Sequence, residues 1–257
     1  MLPLTFAPLR TPRLQVDLEE LAGADAIYLC QLPSHRVERG TTELLQRIVV
    51  TTAEPRRGQV IDQRLWSVQE RAFVVAHYLA GLLQGDFKIG ENGKYSDYLI
   101  EGGIGDPPPA VNIGEVDGEA WFMQPLLGWH AEAIERLVIA EELTSNRPGW
   151  LVGAMAAQLY SVSEGPLECY DQTDAVIDQA MVEKATKILK KKEGVFMTLV
   201  GLYYQHLREL DHTFILSIGD DGFCFLPASG VPDLPPARFH FSMAVRDDTA
   251  AIFGPSE

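Results

Sequence analysis

Cysteine is scarce in this sequence. Cys30, Cys169 and Cys224 are the only three in 257 residues, and no two stand in a Cys-x-x-Cys spacing. An odd number of distant thiols excludes a disulfide scaffold and predicts reduced, buried side chains. Long apolar runs are missing too. The longest, Phe73 to Leu83, includes His77 and falls far short of the ~20 residues that span a bilayer, so it predicts a core helix and no membrane partner. The apolar start, Met1 to Leu9, carries Pro3 and Pro8 and no basic flank, which predicts no secretory signal. With 46% hydrophobic and 22% charged residues, the composition excludes disorder, collagen and a coiled coil for the whole chain. A chain of this size removes roughly 70% of its unfolded surface from water, so it folds without a metal or a disulfide.

The signatures of common chemistries are also missing. Histidines 35, 77, 130, 206, 212 and 240 form no His-Glu-x-x-His pair and never fall on adjacent turns of one helix. His130 and Glu132 are two apart and face different sides of their helix. There is no Gly-x-Ser-x-Gly elbow. Gly102-Gly103-Ile104-Gly105 runs into prolines instead of opening a helix, and no Gly-Lys-Ser/Thr follows to cradle a phosphate. Cys30 and His35 stand five apart across Pro33 and could pair as thiolate and imidazolium, with no Asn or Asp nearby to orient them. Gly219-Asp220-Asp221-Gly222 lacks the ligand alternation of a calcium loop and fits a turn. The adjacent carboxylates Glu19-Glu20, Glu141-Glu142 and Asp247-Asp248 read as solvated pairs. The expectation is no catalytic, cofactor-binding or metal-binding residue.

What is abundant is negative charge, and it is unevenly spread. Residues 1–90 hold ten basic and ten acidic side chains, and residues 184–257 hold eight and nine. Residues 91–183 hold three basic (Lys94, Arg136, Arg147) and 17 acidic, so nearly all of the net −15 lies there. Such a surface repels phosphate and disfavours nucleic acid. It reads as a solvated face or as a docking face for a basic protein.

Periodicity predicts helices near 41–50, 67–83, 126–142, 149–162, 173–192 and 195–210. Ser67-Val68-Gln69-Glu70 is a capping box for the second of these. The fifth opens on Asp174 and Asp178 and closes on Lys187, Lys190, Lys191 and Lys192, matching the helix dipole at both ends. Ala26 to Cys30 reads as a strand or a buried turn before Pro33. Asp117-Gly118 and Asp220-Asp221 predict hairpins near 111–124 and 212–226. The expected fold is therefore α+β, mainly helical, with about six helices and two small β-hairpins. Three glycines and three prolines make 101–109 a linker between an N-terminal mixed, helical lobe (1–100) and a lobe of hairpin plus helices with an extended C-terminal tail (110–257). Leu2 to Phe6 and Phe253 to Glu257 read as extended arms, mobile or laid on a neighbouring subunit.

Five stretches carry a resemblance in combination. They are Leu32-Pro33-Ser34-His35-Arg36-Val37-Glu38-Arg39-Gly40-Thr41-Thr42, Trp66-Ser67-Val68-Gln69-Glu70-Arg71, Tyr95-Ser96-Asp97-Tyr98-Leu99, Met123 to Glu135 (MQPLLGWHAEAIE), and Gly153-Ala154-Met155-Ala156-Ala157-Gln158-Leu159. Together, over most of the chain, they resemble tail and baseplate proteins of tailed bacteriophages, in particular the base plate hub assembly group. The resemblance implies a non-enzymatic virion structural protein of the viral tail tip or baseplate, made in the host cytoplasm. Its partners would be other tail proteins and copies of itself, as a homo-oligomer. It brings no catalytic residues with it. No lysozyme-like segment and no β-helix repeat is present, so a lytic or puncturing role is not implied. Two other readings stand beside it: a tail assembly chaperone absent from the mature virion, and a small cytosolic hydrolase using Cys30 or a carboxylate pair.

Overall fold

The computed structural model describes residues 4–11, 13–50, 57–83, 85–101, 105–228 and 233–254. Among them are eight helices and four small sheets, an α+β fold with somewhat more helix than strand. The chain runs β1 (Leu9–Arg10), β2 (Gln15–Leu18), α1 (Gly23–Cys30), α2 (Val37–Ile48), β3 (Val49–Val50) and α3 (Val68–Leu82). It continues with β4 (Lys88–Ile89), β5 (Gly93–Lys94), β6 (Val111–Val116), β7 (Glu119–Met123), α4 (Gly128–Ile139), α5 (Asn146–Gln158) and β8 (Leu159–Ser161). Then come α6 (Asp174–Leu189), α7 (Glu193–His206), β9 (Ile215–Gly219), β10 (Gly222–Leu226) and α8 (Asp247–Phe253). All named strand pairs are antiparallel: β1-β2-β3, β4-β5, β6-β7-β8 and β9-β10.

Both expected hairpins form. Asp117 and Gly118 take φ of 56° and 78°, the left-handed pair that joins β6 to β7. Gly219 pairs with Gly222 around Asp220-Asp221, with Gly222 at φ 126°. The helix count is higher than expected. Ala26 to Cys30 belongs to α1 and not to a strand: only Leu29 of this helix is buried, and Arg47 from α2 holds it by a 3.1 Å bond to Asp25 and by stacking over Tyr28 at 4.2 Å. Pro33 ends this segment by barring a further turn. The extended C-terminal tail is likewise corrected: Phe239 and Phe241 enter the core, and α8 follows. Of the two expected arms, Phe6 stacks on Tyr78 at 4.8 Å, over Gly81, where a Cβ would overlap its ring. Residues 1–3 and 255–257 lie outside the described residues, as do Gly102, Gly103 and Ile104 of the linker. Residues 105–109 are exposed or half-buried, Gly105 bonding to the His212 carbonyl and Asp106 accepting from Thr11 and from the Arg13 amide.

α3 is the central helix. Every residue from Val68 to Ala76 is buried, as in a helix packed on all sides. Its start is the predicted capping box, with the Glu70 amide donating to Ser67 Oγ (3.0 Å) and the Ser67 amide to Glu70 Oε2 (2.7 Å). One apolar cluster extends from Phe6 to Val245 and draws on both sides of 101–109. At one end Phe214, Phe225 and Phe239 pack with ring centroids 4.7–5.7 Å apart. At ~1.5–3 kcal/mol for each large side chain removed from water, this cluster dominates the favourable side of folding. No helix among the described residues is long and apolar enough to cross a membrane.

Candidate functional site

The most unusual chemistry lies where α2, α3 and α4 meet. Three carboxylates (Glu38, Glu132, Glu135), Arg71 and Thr42 are all buried there. Glu132 and Glu135 project from α4 one turn apart, toward α2 and α3. Gly128 opens α4 because a Cβ there would overlap the Arg71 guanidinium. Arg71 Nη2 donates to the Glu38 carbonyl and to Thr42 Oγ1, both at 2.7 Å, and Nη1 lies 3.7 Å from Glu132. Thr42 Oγ1 in turn donates to Glu132 Oε1 in a very short bond. Arg39 and Arg64 approach the other Glu132 oxygen at 3.9 and 4.0 Å.

Glu135 does something different. Its two oxygens accept from the backbone amides of Glu38 (2.7 Å) and Arg39 (3.1 Å). Those amides belong to the first turn of α2, whose own capping residue Arg36 contributes no side-chain bond. A side chain from α4 thus satisfies orphan donors at the start of α2, where the helix dipole also favours negative charge. This is why α2 begins at Val37 and not near Thr41. Thr41, the expected start of the helix, sits inside it and donates to the Val37 carbonyl (2.8 Å). Burial and the neighbouring Glu38 push the Glu135 carboxyl up to about 7, against the opposing pull of the two amides. Burial raises Glu38 as well, with Arg71 working the other way.

A second constellation has the look of a nucleophile and its base. Ser67 Oγ lies 2.9 Å from His212 Nε2, and His212 Nδ1 bonds the Leu210 carbonyl at 2.9 Å. The carbonyl makes Nδ1 the donor, so Nε2 accepts from the serine. Burial lowers the His212 basicity and keeps the ring neutral. The same side chains are 1% and 6% exposed, however, and Ser67 Oγ already accepts from the Glu70 amide. The cavity beside them measures about 10 Å³, space for one water at most. No acyl group fits there, and the pair instead ties the start of α3 to the chain entering β9. Gln69 completes that tie: its Oε1 accepts from the amides of His212, Thr213 and Phe214 at 3.0–3.1 Å, and its Nε2 donates to Asp211 at 3.0 Å.

The residues weighed from the sequence fall elsewhere. Cys30 is half-buried at the end of α1 with its thiol raised by burial, His35 is exposed, and no bond joins them. Burial also raises the thiols of Cys169 and Cys224. His130 and Glu132 do point apart: Glu132 enters the Arg71 network, whereas His130 Nδ1 accepts from the Leu127 amide at 3.1 Å. Burial and Lys184 drive the His130 ring down to about 3, so it is neutral and its Nε2 is the proton-bearing atom. Lys184 itself is pushed down to about 8 by burial. Among the described residues no group of three or more His, Cys, Asp or Glu side chains is placed to hold a metal ion. Of the acidic side chains in 91–183, Glu132 and Glu135 are enclosed, and Asp178 grips Arg136 with three bonds of 2.6–3.1 Å. Most of the others, Glu141 and Glu142 included, face solvent.

Two open depressions are large enough for a ligand. One, about 640 Å³, lies between α1, α3 and the segment leading into α8, with Leu21, Tyr78 and Leu82 in its wall. The other, about 410 Å³, has His35, Trp150, Asp220, Asp221, Arg238 and His240 around it. In the latter two of the polar side chains are already engaged: Arg238 donates to the carbonyls of Phe223 and Asp221, and His240 bonds Ser34 and Ser242. No family model, no curated protein and no solved structure matches this chain.

Proposed function

We propose that the protein acts without a catalytic step, as a structural component of a bacteriophage tail tip or baseplate that works through protein–protein contacts. The observation that carries the assembly part of this reading is where the chemistry sits. The buried carboxylates Glu38, Glu132 and Glu135, with Ser67 and His212, are spent on joining helices and segments, whereas most of the other acidic side chains of 91–183 face outward. The phage part rests on the resemblance of the five stretches from Leu32 to Leu159. An acidic exterior steers the encounter with a basic neighbour and disfavours nucleic acid.

The experiment is mass spectrometry of purified phage particles produced from a genome that carries this gene. Stoichiometric peptides from the chain in the particle support the reading. Peptides confined to the infected lysate favour the assembly chaperone, whose acidic face would mask a basic partner before assembly. Hydrolytic activity in the purified protein that is lost in Cys30→Ser would overturn both. In the same particles, Glu141→Lys with Glu142→Lys should reduce incorporation while leaving folding unchanged, because exposed charges contribute little to stability.

A further inference from the structure

We infer that the outer face of α7 is a self-association surface, occupied by α7 of a second copy of this chain in antiparallel orientation. The inference rests on the assembly reading and adds to it the partner and the surface. α7 turns Leu199 and Tyr203 inward, packing on β6, with Tyr203 Oη donating to Gln158 at 2.8 Å. Its opposite face shows solvent Gly194, Met197, Thr198, Gly201, Tyr204 and Gln205, the three-and-four spacing of one helical stripe. Met197 is 55% and Tyr204 41% exposed, and no charged residue occurs from Gly194 to Gln205. A helix whose outer face is uncharged beyond its first residue, Glu193, is out of place on the surface of a chain of net charge −15.

Gly201 sharpens the point. Gly40, Gly81 and Gly153 also lie inside helices, and in each a Cβ would strike a neighbouring side chain of the same molecule. At Gly201, as at Gly194 two turns earlier, a Cβ would meet nothing within 4 Å. A glycine in a helix interior costs ~1 kcal/mol relative to alanine, and no contact among the described residues explains it. A flat stretch of backbone admits the close approach of another helix.

Charge identifies the occupant. The end of α7 that carries the dipole's positive pole adjoins the exposed Lys190 and Lys192, which outnumber the exposed Glu193 at its first residue. The other end carries the negative pole and the exposed Glu209, one of whose oxygens also bonds His206 Nδ1 at 2.7 Å, while Arg208 is held by Asp211 at 3.3 Å. Antiparallel pairing about a two-fold axis therefore sets each lysine end against a partner's Glu209 end, twice over. A parallel arrangement would place like against like. Size bounds the strength. α7 has 14 residues. At 1.5 Å per residue it is ~20 Å long and ~10 Å wide, a contact of a few hundred Å². That is below the ~800 Å² per partner of a stable complex, so the dimer is weak and concentration-dependent, as suits a unit fixed by larger assemblies.

The test uses the full chain in sedimentation velocity, from low micromolar to near-millimolar concentration. Wild type should pass from monomer to dimer, with the dimer weakened as salt rises. Gly201→Glu should remove the dimer, weakening association more than about tenfold, while raising the melting temperature of the monomer, because any side chain improves an exposed helix position. That opposite pair of effects separates lost association from lost folding. Gly201→Cys should give a disulfide-linked dimer on mild oxidation, whereas Gly23→Cys, also exposed and unobstructed, should not. Wild type that stays monomeric throughout, or a dimer that survives Gly201→Glu, overturns the inference. Neither result touches the particle-composition test of the assembly reading.

Discussion

Replacing Glu135 by glutamine should make the protein more stable relative to wild type as the pH rises. The reasoning begins at the first turn of α2, where the two carboxyl oxygens accept from the Glu38 and Arg39 amides. Burial and the Glu38 carboxylate raise Glu135 from an ordinary 4.5 to about 7 in the folded state. A carboxyl that holds its proton more tightly when folded favours the fold fully below its unfolded value. That contribution fades as pH climbs from about 4.5 and is gone above about 7. At 1.36 kcal/mol per tenfold change in proton affinity, the full span corresponds to roughly 3 kcal/mol, of which a part belongs jointly to Glu38. Glutamine has nearly the shape of the protonated acid but one accepting oxygen and two N–H donors, so it can keep the bond from the Glu38 amide and loses the one from Arg39.

At pH 5 the variant should therefore be roughly 1–2 kcal/mol less stable than wild type, the cost of the Arg39 amide left without its acceptor. By pH 8 the variant should have gained roughly 1–3 kcal/mol on wild type, because its side chain never has to ionise in the interior. Urea unfolding followed by the fluorescence of the buried Trp66, Trp129 and Trp150, run at four pH values, measures this difference directly. A stability difference that stays constant from pH 5 to pH 8, or that grows in favour of wild type, would refute the argument. It would mean that the two amides and Arg71 hold Glu135 ionised despite its burial.

The same network makes Arg71 sensitive. Arg71→Met should cost roughly 3–5 kcal/mol by removing the fully buried cation beside Glu132 and leaving only the longer contacts to Arg39 and Arg64, and adding Glu132→Met should recover most of that loss in chemical denaturation; no recovery means that Arg71 acts through packing alone. Gly40→Ala forces a methyl into the Phe241 ring and should cost about 1–3 kcal/mol in thermal unfolding, with Phe241→Leu relieving much of it in the double variant. Ser67→Ala removes the cap of α3 and the partner of His212, so a loss of ~1–2 kcal/mol is expected, with Ser67→Thr close to wild type.

Local signals read correctly where one element determines its own shape. Ser67 and Glu70 close a box within a single turn, and Asp117-Gly118 supplies the left-handed angles that a tight hairpin needs, so both could be named before any coordinates. The start of α2 could not, because its cap comes from Glu135, 97 residues away from Glu38. Periodicity alone assigned that start to Thr41. α1 was missed for a related reason: it is only eight residues long, and Arg47 of α2 and the packing of α8 hold it in place. The buried carboxylates did leave a trace. Glu132 and Glu135 stand one turn apart among Trp129, Ala131, Ala133, Ile134 and Leu137, and two acids on one face of a mostly apolar helix are costly unless paired. Arg71, between Val68 and Phe73, is the matching trace in α3. Counting all the acids of 91–183 as surface concealed that pattern.

The position of these charges also bears on what the fold is for. An apolar core would hold three helices together at no less stability, since replacing a buried ion pair by apolar groups is often neutral or favourable. What the Glu38–Thr42–Arg71–Glu132–Glu135 set adds is direction. Each bond joins named atoms on different helices, so α2, α3 and α4 meet in one register and not in several of similar energy. Gln69 does the same for α3 and the chain entering β9, bonding three consecutive amides with one oxygen. α4 carries Glu141 and Glu142 just beyond its last turn, so its orientation sets where that acidic corner points. α6 is anchored to the same helix through Asp178 and Arg136, and α7 follows α6 after three lysines. If the chain is the assembly component proposed above, it gains more from such register, which presents an acidic corner and the outer face of α7 at a fixed angle, than from additional stability. Loosening the network by Arg71→Met with Glu132→Met should accordingly leave a folded protein whose assembly contacts are weakened more than its melting temperature.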